Sequence, residues 1–328
     1  MERDRPQGQL RAGCALMIGS AASNQLGAAT GALAFPVIGP AGVVAVRQWM
    51  AAIVLLAAGR PRLRSFGWPQ WWPVLLLAAV YGTMNLSLYT AIDRLGLGLA
   101  VTLEFLGPLG VALAGPERRP TALAGPERRP TARRRVDLGC AALAGVSVVV
   151  LTHPRPSTDY LGVGLGLLAA LCWASYILLN RLIGTRFPGA EGSGAAAGLS
   201  GLVFVPIGIV VLLRHPPTLA AVGCAAAAGI GCSAVPFLAD LFALRRVPAH
   251  FFGIFMSINP MLAAVSGLVI LGQSLAWSGW LSIAGIVAAN LISVLTPAPG
   301  AAPGTGAHEA AAAEAVAVPG PVASIAGD

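Results

Sequence analysis

The sequence predicts an all-α integral membrane protein in which ten transmembrane helices form two inverted five-helix repeats. Three observations predict it. Of 328 residues, 56% are hydrophobic and 10% charged, with a mean hydropathy of +0.76, whereas about a quarter of the residues of a soluble domain are charged. Ten apolar stretches each approach the roughly twenty residues that carry a helix across a hydrocarbon core about 30 Å thick. A diverged motif recurs at a constant offset of 152 residues.

The spans are expected over 12–34, 41–59, 72–91, 95–114, 136–152, 161–180, 194–213, 219–242, 250–271 and 277–296. Residues 1–11 precede them as a short cytoplasmic arm. That arm bears arginines, but polar Asn24 and Gln25 interrupt the stretch that follows and nine more spans come after it, so a first membrane helix is expected and not a cleaved signal. The basic residues are all arginine. With the N-terminus inside, seventeen of the 21 fall in inner segments, Arg94, Arg155 and Arg214 fall outside, and Arg47 stays within a span. The positive-inside rule then puts both termini of a multi-pass membrane protein in the cytoplasm. This distribution also accounts for the net charge of +8 without nucleic acid.

A basic inner loop, 115–135, follows the fourth span, and "ALAGPERRPT" at 112–121 recurs unchanged at 122–131. Proline, glycine and charge there build no packed element, so the tandem decamer reads as a tolerated insertion. The long repeat is visible where "AIDRLGLGLAVTLEFLGPLGVALAG" from Ala91 is set against "ALRRVPAHFFGIFMSINPMLAAVSG" from Ala243: Pro108 falls on Pro260, Ala112 on Ala264 and Gly115 on Gly267. Five spans lie in 12–152 and five in 153–296, and an odd number per unit forces opposite orientations, an arrangement typical of secondary transporters. Residues 297–328, rich in alanine, glycine and proline, read as a disordered cytoplasmic tail.

Within the spans, Glu104 is the residue that most needs a reason. An ionised side chain near the bilayer centre costs about 2.5–3.5 kcal/mol on insertion scales, so a wet cavity or a partner is expected. A carboxyl so held can load and release protons. The alternative is a neutral carboxyl hydrogen bonded between helices. Pro108 has no N–H for the carbonyl of Glu104, and Pro260 stands likewise to Met256, so two broken helices facing one cavity are expected. Arg47 either snorkels outward or pairs with Glu104 or with a substrate carboxylate. Asp240 either pairs with Arg245 or Arg246 at the inner surface or lines the cavity. Asn24 and Gln25, Tyr81, Asn85 and Tyr89, Trp173, Tyr176 and Asn180, and Asn259 complete the polar and aromatic candidates; each serves equally as interhelical packing. Trp71 and Trp72 read as interfacial anchors.

The stretches "GTMNLSLYTAI", "GLAVTLEFLGPLGVAL" and "FGIFMSINPMLAAVSGLVILGQSL" resemble the EamA branch of the drug/metabolite transporter superfamily, and within it the bacterial threonine/homoserine exporter group. The resemblance covers nearly all of residues 10–296. It implies export of amino acids or similar small metabolites, driven by the proton gradient. Family members commonly carry glutamate before the second-repeat proline; here Asn259 stands there, which argues against a carboxylate in both halves.

Other chemistry is not readable. The five cysteines show no paired spacing and the four histidines no metal pattern. No phosphate-binding glycine and lysine loop is present, and the chain has no lysine. No cofactor, metal or enzyme activity is expected, since no nucleophile and base pair appears in the spans. The partners expected are a small-molecule substrate, protons and the lipid bilayer, with monomer and homodimer both open. A drug or other metabolite carrier is the alternative within the superfamily; a membrane scaffold or receptor is the alternative outside it.

Overall fold

A computed structural model describes residues 5–114, 131–152, 159–187, 191–236 and 257–295. Asp240, most of the tandem decamer and the tail from Pro297 lie outside the described residues. All regular structure among them is helical: α1 (Arg5–Ala32), α2 (Phe35–Gly59), a 3-10 turn (Leu63–Ser65), α3 (Trp68–Leu95), α4 (Leu97–Glu104), α5 (Leu106–Ala114), α6 (Thr131–Thr152), α7 (Tyr160–Gly184), α8 (Glu191–Arg214), α9 (Leu219–Gly229), a π turn (Ile230–Ala234), α10 (Asn259–Leu271) and α11 (Trp277–Leu295). Among the described residues, α2, α3, α7 and α8 are long and apolar enough to cross a bilayer.

Two of these elements carry the prolines expected to break helices. The apolar stretch 95–114 is divided at Phe105 into α4 and α5. Pro260 lies in the first turn of α10, as Pro108 lies in the first turn of α5, and Met256 is outside the described residues. A first-turn proline suits a helix that starts anew, because its missing N–H is one that a helix leaves unbonded anyway.

Local chemistry sets the helix ends. The Gln70 side chain accepts from the Gly67 N–H at 2.9 Å, with Pro69 in the first turn of α3. That helix stops at Gly96, whose φ of 86° suits a residue without Cβ. Thr218 accepts from Ala221 N–H at the start of α9. Asp159 caps α7 through Gly162 N–H at 2.9 Å, and Arg94 at the end of α3 grips it from Nε at 2.8 Å and Nη2 at 3.1 Å. The amide and the guanidinium hold this carboxyl below the usual aspartate range. A lowered value means that the contribution is present above about pH 4 and is lost as pH falls through the folded-state value. Asp159→Asn is therefore expected to flatten the acid limb of the melting-temperature profile in detergent. Parallel profiles for the two proteins would show the pair to be inert.

Packing interleaves early and late segments. α2 lies mainly along α8, α3 along α7, α6 along α11, and α10 along both α1 and α4, while α9 wedges between α1 and α2. Close approach relies on small residues: a Cβ on Gly231 would lie 3.2 Å from the Cα of Gly27, and one on Gly107 2.2 Å from the Ala170 carbonyl oxygen. Large apolar side chains point outward, with Leu213 78% and Val269 75% exposed. A surface of that kind needs a lipid or protein covering.

Candidate functional site

The site gathers where α2, α3, α4 and the π turn after α9 meet. Glu104 ends α4 and is 6% exposed. The Phe105 N–H still bonds Val101 O at 3.0 Å, and Leu109 N–H reaches Phe105 O at 3.4 Å. Pro108 has no N–H to give the intervening Glu104 carbonyl, so the ladder is interrupted beside the carboxyl. Trp173 of α7 meets Phe105 edge-on at 4.6 Å and backs this break.

Arg47 projects from α2 inward. Its Cζ lies 5.1 Å from the centroid of the Tyr89 ring, a cation–π geometry. It is close enough to Tyr89, Cys232, Tyr81 and Glu104 to interact with each electrostatically. Among the described residues the ion pairs are Arg94–Asp159 and Arg62–Glu191, the latter at 3.6 Å. Arg47 and the Glu104 carboxyl thus lie within electrostatic reach of one another without forming an ion pair. The Arg47 side chain is partly exposed, while its Nε is buried and has no hydrogen-bond partner among the described residues.

Aromatic and amide groups complete the wall. The Tyr81 phenol lies beside Ser233 and Asn85. Asn85, 1% exposed, donates from Nδ2 to the Tyr81 carbonyl at 2.9 Å, which fixes the rotamer of the amide. Tyr89 is fully buried, with its hydroxyl 3.9 Å from Cys232 Sγ, and that thiol donates to the Asn24 carbonyl at 3.2 Å. Asn259 accepts from Gln25 Nε2 at 3.0 Å, tying α10 to α1. Tyr81 stacks on Tyr176 at 6.0 Å, and below them Asn180 donates to the Tyr176 carbonyl and accepts from Ser193. A cavity of about 40 Å³ opens there, bounded by Tyr81, Tyr176, Asn180 and Ser193. A larger one of about 210 Å³ lies away from the charges, between Gly96, Gly98, Ala264 and Gln273.

Of the residues singled out from sequence, Arg47, Tyr81, Asn85 and Tyr89 come together, with Glu104 within electrostatic reach of Arg47. Trp173 and Tyr176 border them, while Asn259 and Asn24 belong to the neighbouring α1 contacts. Asp240 lies outside the described residues. Sequence reasoning missed Cys232, Ser233 and Gln48. The 152-residue offset held a signal for two of these, since it carries Tyr81 onto Ser233 and Gln48 onto Ser200; Gln48 Nε2 donates to Ser200 Oγ at 2.6 Å.

Residues 160–295 match the EamA-like transporter family. The threonine/homoserine exporter RhtA of Escherichia coli (strain K12) is 33% identical over 285 residues, 86% of this chain and 90% of that protein. This chain belongs to the EamA-type transporters. RhtA of Salmonella typhimurium (strain LT2) is similar to the same degree, 34% identical over 280 residues, 84% of this chain and 88% of its own. A solved structure titled only as a crystal structure of a protein superposes with a TM-score of 0.52 at 20% identity, over 84% of this chain and 95% of that one, a likeness of fold alone. EamA membership makes this chain a membrane transporter of small molecules, related to exporters and not an enzyme, and gives its outward apolar side chains lipid to face.

Proposed function

We propose that this chain is a proton-coupled secondary transporter that exports amino acids of the threonine and homoserine kind, or similar small metabolites, across the inner membrane. One observation carries the reading. Glu104 is a buried carboxyl without a hydrogen-bond or ion-pair partner among the described residues, within electrostatic reach of Arg47, whose Nε is buried and likewise unpartnered among them. A carboxyl and a guanidinium nitrogen left unpaired in an apolar interior are costly unless a mobile ligand or proton completes them. In this scheme Glu104 takes a proton from outside and yields it inside, while cargo occupies the space among Arg47, Tyr81, Asn85 and Tyr89 in the opposite leg. Asn24, Trp173, Tyr176 and Asn259 border the path, and the interrupted ladder at Pro108 lets α4 and α5 reorient.

The same reading takes the ten spans as inverted units 12–152 and 153–296, with both termini inside. Contacts that exchange under a twofold rotation support it. α3 packs on α7 and α9 on α1; α3 packs on α8 and α9 on α2. Residues 152 apart, Gln48 with Ser200 and Tyr81 with Ser233, meet each other, as residues on a rotation axis must. Inverted units of this kind give alternating access to a site at their interface.

Proteoliposomes holding the purified protein test the proposal. Labelled threonine or homoserine is expected to move against its gradient when a pH gradient is imposed, and a protonophore should stop it. Movement that ignores the protonophore would remove the coupling; transport of bulky aromatic cations in place of amino acids would favour the drug-carrier alternative.

A further inference from the structure

We infer that Arg47, Ser233 and Tyr81 form a carboxylate subsite, so that the transporter selects its cargo by an α-carboxylate. This deepens the proposed function and rests on it for the location of the cargo.

The argument begins with groups that the protein leaves unfinished. Arg47 Nε and Ser233 Oγ are both buried, and among the described residues neither has a well-formed hydrogen bond, the Tyr81 phenol being the group that borders Ser233. A buried donor without an acceptor forfeits its hydration with no return, so such pairs are uncommon unless something else supplies the acceptor. Their elements are adjacent. A Cβ on Gly229, the last residue of α9, would lie 2.7 Å from the Cβ of Met50 and 3.5 Å from the Cα of Arg47, and the π turn that follows, which carries Ser233, packs on α2. The Tyr81 hydroxyl borders Ser233 from α3 and also lies within electrostatic reach of Arg47. Tyr81 thus links the two, and no carboxylate lies within ion-pair distance of the arginine among the described residues.

That donor set fits an anion with two acceptor oxygens. A guanidinium edge and a neighbouring hydroxyl satisfy the two oxygens of a carboxylate, and charge-assisted bonds of this type are the strong ones. Cations are excluded by Arg47. The π turn contributes by its geometry: five-residue π turns recur at functional sites because they offset the side chains that follow from the regular helical rows. Cys232 takes no part as a donor to cargo, since its thiol is already committed to the Asn24 carbonyl.

The test is binding by the purified, detergent-solubilised full-length protein, measured by calorimetry against matched panels. Each panel sets an amino acid against its methyl ester and its amino alcohol: threonine, homoserine and the remaining proteinogenic amino acids. At least one amino acid is expected to bind, with its ester at least about 10-fold weaker, the factor for losing one charge-assisted bond. Ser233→Ala should weaken the amino acid about 3- to 10-fold and leave the ester unchanged. Arg47→Lys should weaken the amino acid further. A monodisperse gel-filtration peak for each variant separates lost binding from lost folding, and Ser233→Ala carries the test alone if Arg47→Lys fails that check. Equal binding of acid and ester, or no binding by any amino acid, overturns the subsite. If acids outbind esters yet neither threonine nor homoserine is exported by proteoliposomes, the cargo assignment fails while the subsite stands.

Discussion

Glu104→Gln is expected to reduce proton-driven efflux to the level of empty liposomes while the protein remains inserted and monodisperse. The substitution keeps size and hydrogen-bonding capacity and removes only the titratable proton. Insertion should not suffer, because an ionised carboxyl at the centre of a span costs about 2.5–3.5 kcal/mol and a neutral amide costs less. Folding has little to lose, since no hydrogen bond or ion pair to the Glu104 carboxyl exists among the described residues. The structural alternative, a neutral acid bridging two helices, predicts the opposite ordering: glutamine would preserve the bridge and transport together. Efflux of labelled amino acid under an imposed pH gradient separates the two, and undiminished, pH-dependent efflux in the variant would refute the proton-carrying role.

The second large effect concerns the seat of that carboxyl. A Cβ at Gly107 would lie 2.2 Å from the Ala170 carbonyl oxygen and 3.2 Å from the Ala174 nitrogen, both backbone atoms of α7 that cannot turn aside. Gly107→Ala must therefore push α5 away from α7, and overpacking of this type costs about 1–3 kcal/mol. The displacement also loosens the Phe105–Trp173 contact beside Glu104, so lower thermal stability and lower transport are expected together. Gly110→Ala is the control. Its added methyl would meet nothing within 4 Å, and alanine exceeds glycine by about 0.8–1.0 kcal/mol in a helix. Equal melting temperatures for Gly107→Ala and the wild type would mean that the α5–α7 contact yields.

Much of the architecture was legible because the bilayer imposes simple rules. Length and apolarity mark α2, α3, α7 and α8 without any knowledge of packing, and the 152-residue offset links segments far apart in sequence. Pro108 and Pro260, equivalent in the alignment, also fall alike in the structure, each in the first turn of a helix, α5 and α10. What the alignment does not show is where the backbone breaks, at Phe105, three residues before Pro108. In the site, Glu104 and Arg47 stood out because charge is rare in such spans. Ser233 and Cys232 did not, since a serine and a cysteine among alanines and glycines carry no sequence signal of burial beside an arginine. Their roles depend on a π turn, and no residue pattern in "IGCSA" announces one. Gln48 was missed for the opposite reason: its partner Ser200 lies in another span, and a lone amide in a membrane helix usually finds some partner.

The Gln48–Ser200 bond has a mechanical consequence. In the two-unit reading it lies on the line about which the halves trade places, and points on such a line do not move when the trade occurs. Contacts away from it, such as Arg94 with Asp159, must lengthen or shorten as one mouth opens and the other shuts. The amide and the hydroxyl therefore act as a fulcrum: a polar weld between α2 and α8 that persists throughout the cycle and leaves the swing to the rest of the bundle.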